Sequence, residues 1–161
     1  VRLPRTLTPR SAPDSVPGES ASGGVAEARV LLVEDDPQVR KVSQDLLQSA
    51  GLKVVSASSA REALQIFEAS AARDTGFDVV VTDVEMPGMS GTELVVELRL
   101  RAGSLPVVVV SGYSASLVNL DEVIAPPLQL VQKPYGPHAL LRAVRAVLTA
   151  SSWREATPPP R

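Results

Sequence analysis

The sequence predicts an α/β fold, a doubly wound parallel sheet of five strands with helices on both faces. Short runs of Val and Leu alternate five times with segments whose apolar residues recur at helical spacing. Such runs are typical of strands buried on both faces. The connections between them are short, which favours right-handed crossovers between parallel strands. A length of 161 residues suits one domain with a single core.

Each of the first two strands is followed by a helix with recognisable start signals. Asp36 and Pro37, after the apolar run Arg29–Val33, suit the N-cap and the first position of a helix. Gly51 ends that helix. The second unit repeats the pattern, with a strand at Lys53–Ser56 and a helix that Ser59 caps and that runs to about Ala72.

The third strand leads into the centre of the predicted site. It is expected at Phe77–Thr82 and is followed at once by Asp83. After a sharp turn, Ser90 is a ready N-cap for a helix that begins near Thr92 and ends near Gly103.

The remainder of the chain supplies two more strands and one clear helix. The fourth strand, Val107–Val110, is the most apolar of the five. The stretch 113–125 is weakly helical at best, and two prolines separate it from the fifth strand at Leu128–Val131. A last helix is expected from about Pro137 to Thr149.

Pro, Gly and Ser concentrate at the ends of the chain, where they prevent a periodic apolar face. We therefore expect a flexible linker at 1–28, the folded domain at 29–149 and a disordered, Pro-rich tail at 150–161. The chain starts with Val1 rather than Met, which suggests a piece of a longer protein.

The composition excludes several classes of function. A net charge of −2 gives no basic field that would hold nucleic acid or an anionic membrane surface. The absence of Cys excludes disulfides, thiolate metal sites and Cys nucleophiles. No apolar stretch is long enough for a membrane span and no signal peptide is visible. We expect a cytoplasmic domain without nucleic-acid or membrane contact in this segment.

Polar side chains follow four of the predicted strands. In a parallel sheet the loops after these strands open on one edge, where ligands bind. Taken singly, each residue has a structural explanation as a helix cap, a turn residue or a solvated charge. Their joint placement after four strand ends favours a functional site. The residues are Glu34 and Asp35 after the first strand, Asp83 after the third, Ser111 and Gly112 after the fourth, and Lys133 after the fifth.

Carboxylates crowded at one edge predict a hard divalent cation with oxygen ligands, and Mg²⁺ suits an open site that keeps several waters. Asp35 and Asp83 would be direct ligands, with the backbone carbonyl of Glu85 as a third. Glu34 would act directly or through water. With the cation in place, Asp83 can act as a nucleophile that accepts a phosphoryl group.

The remaining residues at this edge suit the oxygens of that phosphoryl group. Lys133 would pair with one oxygen as a point charge. The hydroxyl of Ser111 and the amide of Gly112 would donate to another. The pattern therefore predicts a phosphoacceptor site built on Asp83.

At this point the sequence resembles the receiver domain of two-component response regulators over about residues 29–149. The resemblance implies a flavodoxin-like sheet of strand order 2-1-3-4-5. It also implies that Asp83 takes its phosphoryl group from a phosphohistidine, with Mg²⁺, on a histidine kinase domain or a histidine phosphotransfer protein. Phosphorylation would then shift a face near residues 113–124, the fifth strand and the last helix. The motifs that carry the resemblance are Val-Leu-Leu-Val-Glu-Asp-Asp-Pro (30–37), Val-Thr-Asp-Val-Glu-Met-Pro-Gly-Met-Ser-Gly (81–91), Val-Val-Val-Ser-Gly-Tyr (108–113) and Gln-Lys-Pro-Tyr (132–135).

Two positions depart from the family pattern or vary within it. The family usually places an aromatic switch residue three positions before the lysine, where this chain has Leu130. Glu85 occupies a position that in this family tunes the lifetime of the phosphoryl group, and its carboxylate can either orient water or repel it. Tyr135 and His138 read as surface or packing residues.

The first residues suggest what the domain was attached to. Val-Arg-Leu-Pro-Arg, at 1–5, resembles the last strand of the ATP-binding domain of histidine kinases. Together with the missing Met, this favours a receiver from the carboxyl end of a hybrid sensor histidine kinase. The sequence predicts neither the oligomeric state nor the input signal.

Three other functions compete with the phosphoacceptor. An aspartate-nucleophile phosphatase needs its acids on the first strand, whereas Asp83 follows the third. A flavin- or nucleotide-binding domain needs a phosphate cradle after the first strand, where Glu34 and Asp35 would repel phosphate. A pseudo-receiver, which binds partners without phosphorylation, disagrees with the complete set of acids, hydroxyl and lysine. We expect a phosphoacceptor without turnover chemistry of its own, and keep the pseudo-receiver and the phosphatase as alternatives.

Overall fold

A computed structural model describes residues 27–73, 75–112 and 127–156. The predicted linker up to residue 26, with its resemblance to a kinase strand, lies outside the described residues. So do the weakly helical stretch at 113–125 and the end of the predicted tail from 157 onward. Within the described ranges, no helix is both long and apolar enough to cross a membrane.

The described chain forms a single sheet of five parallel strands with the order β2-β1-β3-β4-β5. This confirms the predicted fold class and the strand order. The strands are β1 (Arg29–Val33), β2 (Lys53–Ala57), β3 (Val79–Asp83), β4 (Val107–Ser111) and β5 (Leu128–Gln132). The helices are α1 (Pro37–Ser49), α2 (Ala60–Ala72), α3 (Gly91–Ala102) and α4 (Pro137–Ala156).

Alternate residues of the strands face two separate helical layers. Val30 and Leu32 of β1 belong to the core under α1 and α4, whereas Leu31 and Val33 belong to the core under α2 and α3. Every residue of β3 and β4 is buried. These two strands therefore form the rigid centre to which the site is attached.

The helix starts follow the predicted capping residues. The side chain of Asp36 accepts hydrogen bonds from two backbone amides at the start of α1, and Ser59 accepts one from the amide of Glu62. Ser90 and Glu93 form a reciprocal capping box at the start of α3. These caps fix the helix ends next to the carboxyl edge of the sheet.

Several predicted boundaries need correction. β3 begins at Val79 rather than Phe77, because Phe77 turns into the core against Phe67 with ring centroids 6.2 Å apart. β3 also includes Asp83, and β4 includes Ser111, since both residues pair in register with the neighbouring strand. Asp83 and Ser111 therefore belong to the sheet ladder.

The last helix runs to Ala156 instead of ending near Thr149. Residues 150–156, which the sequence assigned to a tail, contain no Gly or Pro that would stop the helix. The first proline after them is Pro158, and the residue before a proline disfavours helical geometry.

Candidate functional site

The predicted site residues converge because the strands that carry them are neighbours in the sheet. β1, β3, β4 and β5 lie side by side, and their carboxyl ends open on one edge. The backbone amide of Lys133 donates to the carbonyl of Ser111 at 2.7 Å, which ties the loop after β5 to the end of β4. The peptide bond between Lys133 and Pro134 is cis.

The centre of the site is an ion-paired triad. The ammonium Nζ of Lys133 lies 2.9 Å from Oδ2 of Asp83 and 3.3 Å from Oε2 of Glu34. Glu34 and Asp83 are each only 4% exposed. One lysine therefore compensates two carboxylates that are largely removed from water.

Burial and charge shift the titration of these groups. Desolvation raises the pKa of Glu34 to about 7, and the nearby charge of Asp83 acts in the same direction. The backbone amide of Asp36 and the ammonium of Lys133 offset part of this effect. Burial alone would lower the pKa of Lys133, but its hydrogen bond to Asp83 and the two carboxylate charges together raise it. The site thus carries more negative charge than one lysine stabilises.

Three carboxylates have the arrangement that a cation needs. Glu34, Asp35 and Asp83 each offer one oxygen, and these oxygens lie within 4.8 Å of one another. Asp35 is the most exposed of the three, so the cluster opens to solvent on its side. Carboxylate oxygens are the ligands that Mg²⁺ prefers, and a cation would relieve the repulsion between Glu34 and Asp83, which adds to the effect of burial on the pKa of Glu34. The donor set therefore fits Mg²⁺.

The side chain of Glu85 binds the two groups that were predicted to donate hydrogen bonds to the phosphoryl oxygens. Its Oε2 accepts a hydrogen bond from the hydroxyl of Ser111 at 2.5 Å, and its Oε1 accepts one from the amide of Gly112 at 2.9 Å. Its own backbone amide donates to Oδ1 of Asp83 at 3.1 Å. Sequence reasoning assigned a definite role only to the backbone carbonyl of Glu85, so the contacts of its side chain are new.

The sequence reasoning missed Arg40, which supports the acidic loop. Its guanidinium donates to the backbone carbonyl of Glu34 at 2.7 Å and to that of Asp35 at 3.4 Å. The only available signal was its position, one turn into a helix that begins directly after the acidic loop.

Gly91 is a second residue that the sequence reasoning missed. A Cβ built on Gly91 would overlap the backbone carbonyl of Asp83, and it would crowd the hydroxyl of Thr82. Gly is a poor helix former, so its place at the first position of α3, directly after the Ser90 cap, was an available signal. The close approach shows that Gly91 packs directly against the backbone of Asp83.

A groove of about 700 Å³ runs beside the site, between α1 and the loop after β5. Val39 and Val42 line one wall, and Lys133, Pro134 and Tyr135 line the other. The hydroxyl of Tyr135 is hydrogen-bonded to that of Ser43, at 2.9 Å, and its ring packs against the core. Of the two roles that the sequence left open for Tyr135, surface or packing, the structure shows packing, and the bond to Ser43 ties the loop that carries Lys133 to α1.

The fold and the site define a class of protein, a doubly wound domain whose acidic pocket holds a strand-end aspartate paired with a lysine. A family model described as the response regulator receiver domain matches residues 30–145. The chain belongs to the response regulator receiver domain family of two-component systems.

Individual relatives agree with this assignment. The chain is 32% identical over 123 residues, 76% of its length, to the C4-dicarboxylate transport transcriptional regulatory protein DctD of Pseudomonas aeruginosa, of which it covers 26%. It is 33% identical over 152 residues, 91% of its length, to the sensor kinase CckA of Brucella abortus, of which it covers 16%. The chain thus spans a small part of these relatives.

A solved structure gives the same result. The receiver domain of a hybrid histidine kinase CckA superimposes with a TM-score of 0.61 at 32% identity. The alignment covers 75% of this chain and 99% of that one. The match therefore includes almost the whole of a known receiver domain.

Proposed function

We propose that this domain is a phosphoacceptor module of a two-component phosphorelay, in which Asp83 takes a phosphoryl group from a phosphohistidine. The observation that carries the proposal is the buried carboxylate of Asp83, 2.9 Å from the ammonium of Lys133 and beside the acids Glu34 and Asp35. A nucleophile, a compensating cation and a set of metal ligands thus occupy one edge of the sheet.

In the proposed step, an oxygen of Asp83 forms a bond to phosphorus while the phosphorus–nitrogen bond of the phosphohistidine breaks. The electron pair of the broken bond stays on the imidazole nitrogen. A carboxylate carries no proton that a base must remove, so the site needs no general base. The amide of Glu85 and the ammonium of Lys133 each hold one oxygen of Asp83, which orients the nucleophile before the donor arrives.

The product carries charge that the same residues would stabilise. Lys133 would pair with a phosphoryl oxygen as a point charge. The hydroxyl of Ser111 and the amide of Gly112 would donate to another, as preorganised donors in a site partly shielded from water.

Asp35 and Asp83, with the backbone carbonyl of Glu85, would hold Mg²⁺, and Glu34 would contact it directly or through water. When bound, Mg²⁺ neutralises the acids and the charge on the transferring oxygens. The donor set supports this assignment, because three carboxylate oxygens already converge.

The donor would be a histidine kinase domain or a histidine phosphotransfer protein that docks in the groove beside the site. Val42 is 67% exposed on one wall of this groove, and Lys133 lines it close to the entrance of the acidic pocket. An exposed apolar wall beside the nucleophile suits a helical partner that carries a histidine on its surface.

We also propose that the parent protein is a hybrid sensor histidine kinase. The alignment to the sensor kinase CckA extends over 91% of the chain, whereas that to DctD covers 76%. The longer alignment reaches beyond the receiver domain, which supports a relation to the kinase in the flanking sequence as well.

The output would pass through β5, α4 and residues near 113–124, the last of which lie outside the described residues. Leu130, at the position where the family usually has an aromatic switch, is 38% exposed. Leu130 has no aromatic ring that could turn towards Ser111, so the signal would travel through the backbone of the loop after Ser111.

The phosphatase and pseudo-receiver alternatives have less support. The acids of a phosphatase of this type belong on the first strand, whereas Asp83 ends β3. The complete set of acids, hydroxyl and lysine at one edge favours phosphorylation over a pseudo-receiver. The proposal therefore gives the domain no turnover chemistry of its own.

The decisive experiment is incubation with a small phosphodonor and Mg²⁺, followed by intact mass measurement. We expect one phosphoryl adduct on the wild type and none on Asp83→Asn. Asp78→Asn is the matched control, because Asp78 lies at the opposite end of β3, where its carboxylate caps the amide of Arg29. Equal labelling of the wild type and Asp83→Asn would refute the proposal.

Beryllofluoride with Mg²⁺ tests the pseudo-receiver separately. We expect it to raise the unfolding temperature of the wild type, because a ligand that binds only the native state stabilises that state. No shift in the wild type, together with no phosphoryl adduct, would favour a domain that binds partners without phosphorylation.

A further inference from the structure

The hydroxyl of Ser111 and the amide of Gly112, which would donate hydrogen bonds to the phosphoryl group, already bind a carboxylate of the chain itself. Each oxygen of the Glu85 carboxylate accepts from one of them: Oε2 accepts from the hydroxyl of Ser111, and Oε1 accepts from the amide of Gly112. A carboxylate presents two charged acceptor oxygens, as a phosphoryl group presents three. The side chain of Glu85 thus occupies the donors that the phosphoryl group would need.

We propose that Glu85 is a positioning residue that acts as a resident anion, holding Ser111 and Gly112 until a phosphoryl group displaces it. This inference rests on the proposed function and concerns the loading of Asp83 rather than the lifetime of the product. Loading then requires that the carboxylate of Glu85 leave both donors.

The local geometry allows such an exchange. Glu85 is half-buried, whereas Glu34 and Asp83 are buried, so Glu85 is less enclosed than the two acids. Its backbone is fixed by the hydrogen bond from its amide to Asp83. A rotation of the side chain can therefore release Ser111 and Gly112 without moving the nucleophile.

Ser111 connects the exchange of Glu85 for a phosphoryl group to the loop that carries Lys133. It is fully buried and lies at the last position of β4, where its backbone carbonyl accepts from the amide of Lys133. Glu85 therefore holds the hydroxyl of Ser111 and, through the backbone of Ser111, influences the loop of Lys133 before any phosphoryl group is present.

The test measures beryllofluoride affinity with Mg²⁺ for the wild type, Glu85→Ala, Ser111→Ala and the double variant. We expect Glu85→Ala to bind about tenfold more tightly than the wild type, because charged hydrogen bonds no longer compete for the donors. In the Ser111→Ala background the same substitution should tighten binding by only about threefold, since one contested donor is gone.

The double variant distinguishes two effects of Glu85→Ala on anion affinity: the end of competition for the donors and the loss of a negative charge. Removal of a negative charge would by itself tighten anion binding equally in both backgrounds, and that result would overturn the inference. Unchanged or weaker binding by Glu85→Ala would overturn it as well. Glu85→Gln, which keeps the shape and one accepting oxygen, should lie between the wild type and Glu85→Ala.

The amide of Gly112 provides a direct readout. We expect its ¹H resonance to move upfield in Glu85→Ala, where the charged hydrogen bond is lost, and to return downfield with beryllofluoride. An unmoved resonance would contradict the inference. If neither the wild type nor Glu85→Ala takes beryllofluoride or a phosphoryl group, the proposed function fails; if both do so equally, only the role of Glu85 fails.

Discussion

At the scale of single residues, Gly91 shows how a position without a side chain supports the backbone of Asp83. A Cβ on Gly91 would overlap the carbonyl of Asp83, and the contact is with backbone that cannot turn aside. We expect Gly91→Ala to lower the free energy of unfolding by about 1–3 kcal/mol, as overpacking does, and to slow loading of Asp83. Gly76→Ala is the control, because its Cβ would meet open space. Equal stability of the two variants, measured by denaturant unfolding, would contradict this account.

The titration of Glu34 gives a pH dependence with a definite sign. The pKa of Glu34 is about 7 in the fold and near 4.5 in the unfolded chain. Between these two pH values the native state therefore holds a proton that the unfolded state has lost. Stability from this group is therefore present below about pH 4.5 and is lost as the pH rises towards 7. Without Mg²⁺, the unfolding temperature of the wild type should fall relative to that of Glu34→Gln between pH 5 and 8. A constant difference across that range would show that Glu34 does not titrate.

Sequence reasoning found the residues that carry charge and missed those that position them. Asp83, Ser111 and Lys133 could be identified because a polar residue directly after an apolar strand has a known place in a parallel sheet. The carboxylate of Glu85 has several accessible rotamers, and nothing in the sequence selects the one that reaches Ser111. Arg40 was missed for a similar reason, since its partners are backbone carbonyls that are present at every position.

At the scale of elements, Arg99 links the end of α3 to the starts of two strands. Its guanidinium donates to the carbonyl of Leu105, before β4, at 2.9 and 3.1 Å, and to that of Pro127, before β5, at 2.8 Å. Burial lowers the pKa of Arg99. We expect Arg99→Ala to lower the free energy of unfolding by about 2 kcal/mol or more, because it removes charged hydrogen bonds from partly buried carbonyls.

Two variants test whether the geometry of Arg99 matters. Arg99→Lys should recover only part of the loss, since an ammonium lacks the planar fork of a guanidinium. Arg101→Ala, in the same helix, removes exposed ion pairs with Glu68 and Glu97 and should change stability little. Denaturant midpoints compare the three variants. A larger effect at Arg101 than at Arg99 would contradict the assignment.

Element boundaries were predicted well where a residue fixes the backbone and poorly where none does. Asp36, Ser59 and Ser90 cap their helices as expected, because each accepts from first-turn amides that have no partner within the helix. The end of α4 was placed too early, since residues 150–156 contain no Gly or Pro and the first stop signal after them is Pro158. The start of β3 was misplaced because an apolar Phe77 suits a strand and a core position equally well.

At the scale of the whole molecule, the topology brings the site residues together and also makes the central strands of the sheet more buried than β5 at its edge. β3 and β4 are buried at every position, whereas β5, at one edge, has a single buried residue, Val131. The edge that carries the candidate site is therefore built from the carboxyl ends of β1, β3, β4 and β5, of which β5 is the most exposed. This division could be predicted from the apolar content of the strands, but the exposure of β5 required the strand order.

Hydrogen exchange tests how this gradient serves the proposed switch. We expect the backbone amides of β3 and β4 to exchange about a hundredfold more slowly than those of β5, because buried central strands open only on global unfolding. Beryllofluoride with Mg²⁺ should then change protection in β5 and the first turns of α4 far more than in β2, the opposite edge. The reason is that Lys133 connects β5 directly to Asp83, whereas none of the hydrogen bonds and ion pairs of the described residues joins β2 to Asp83 or Lys133. Asp83→Asn is the control and should show no change at either edge. Equal changes in β2 and β5 would mean that the sheet responds as one body and that no output face is selected.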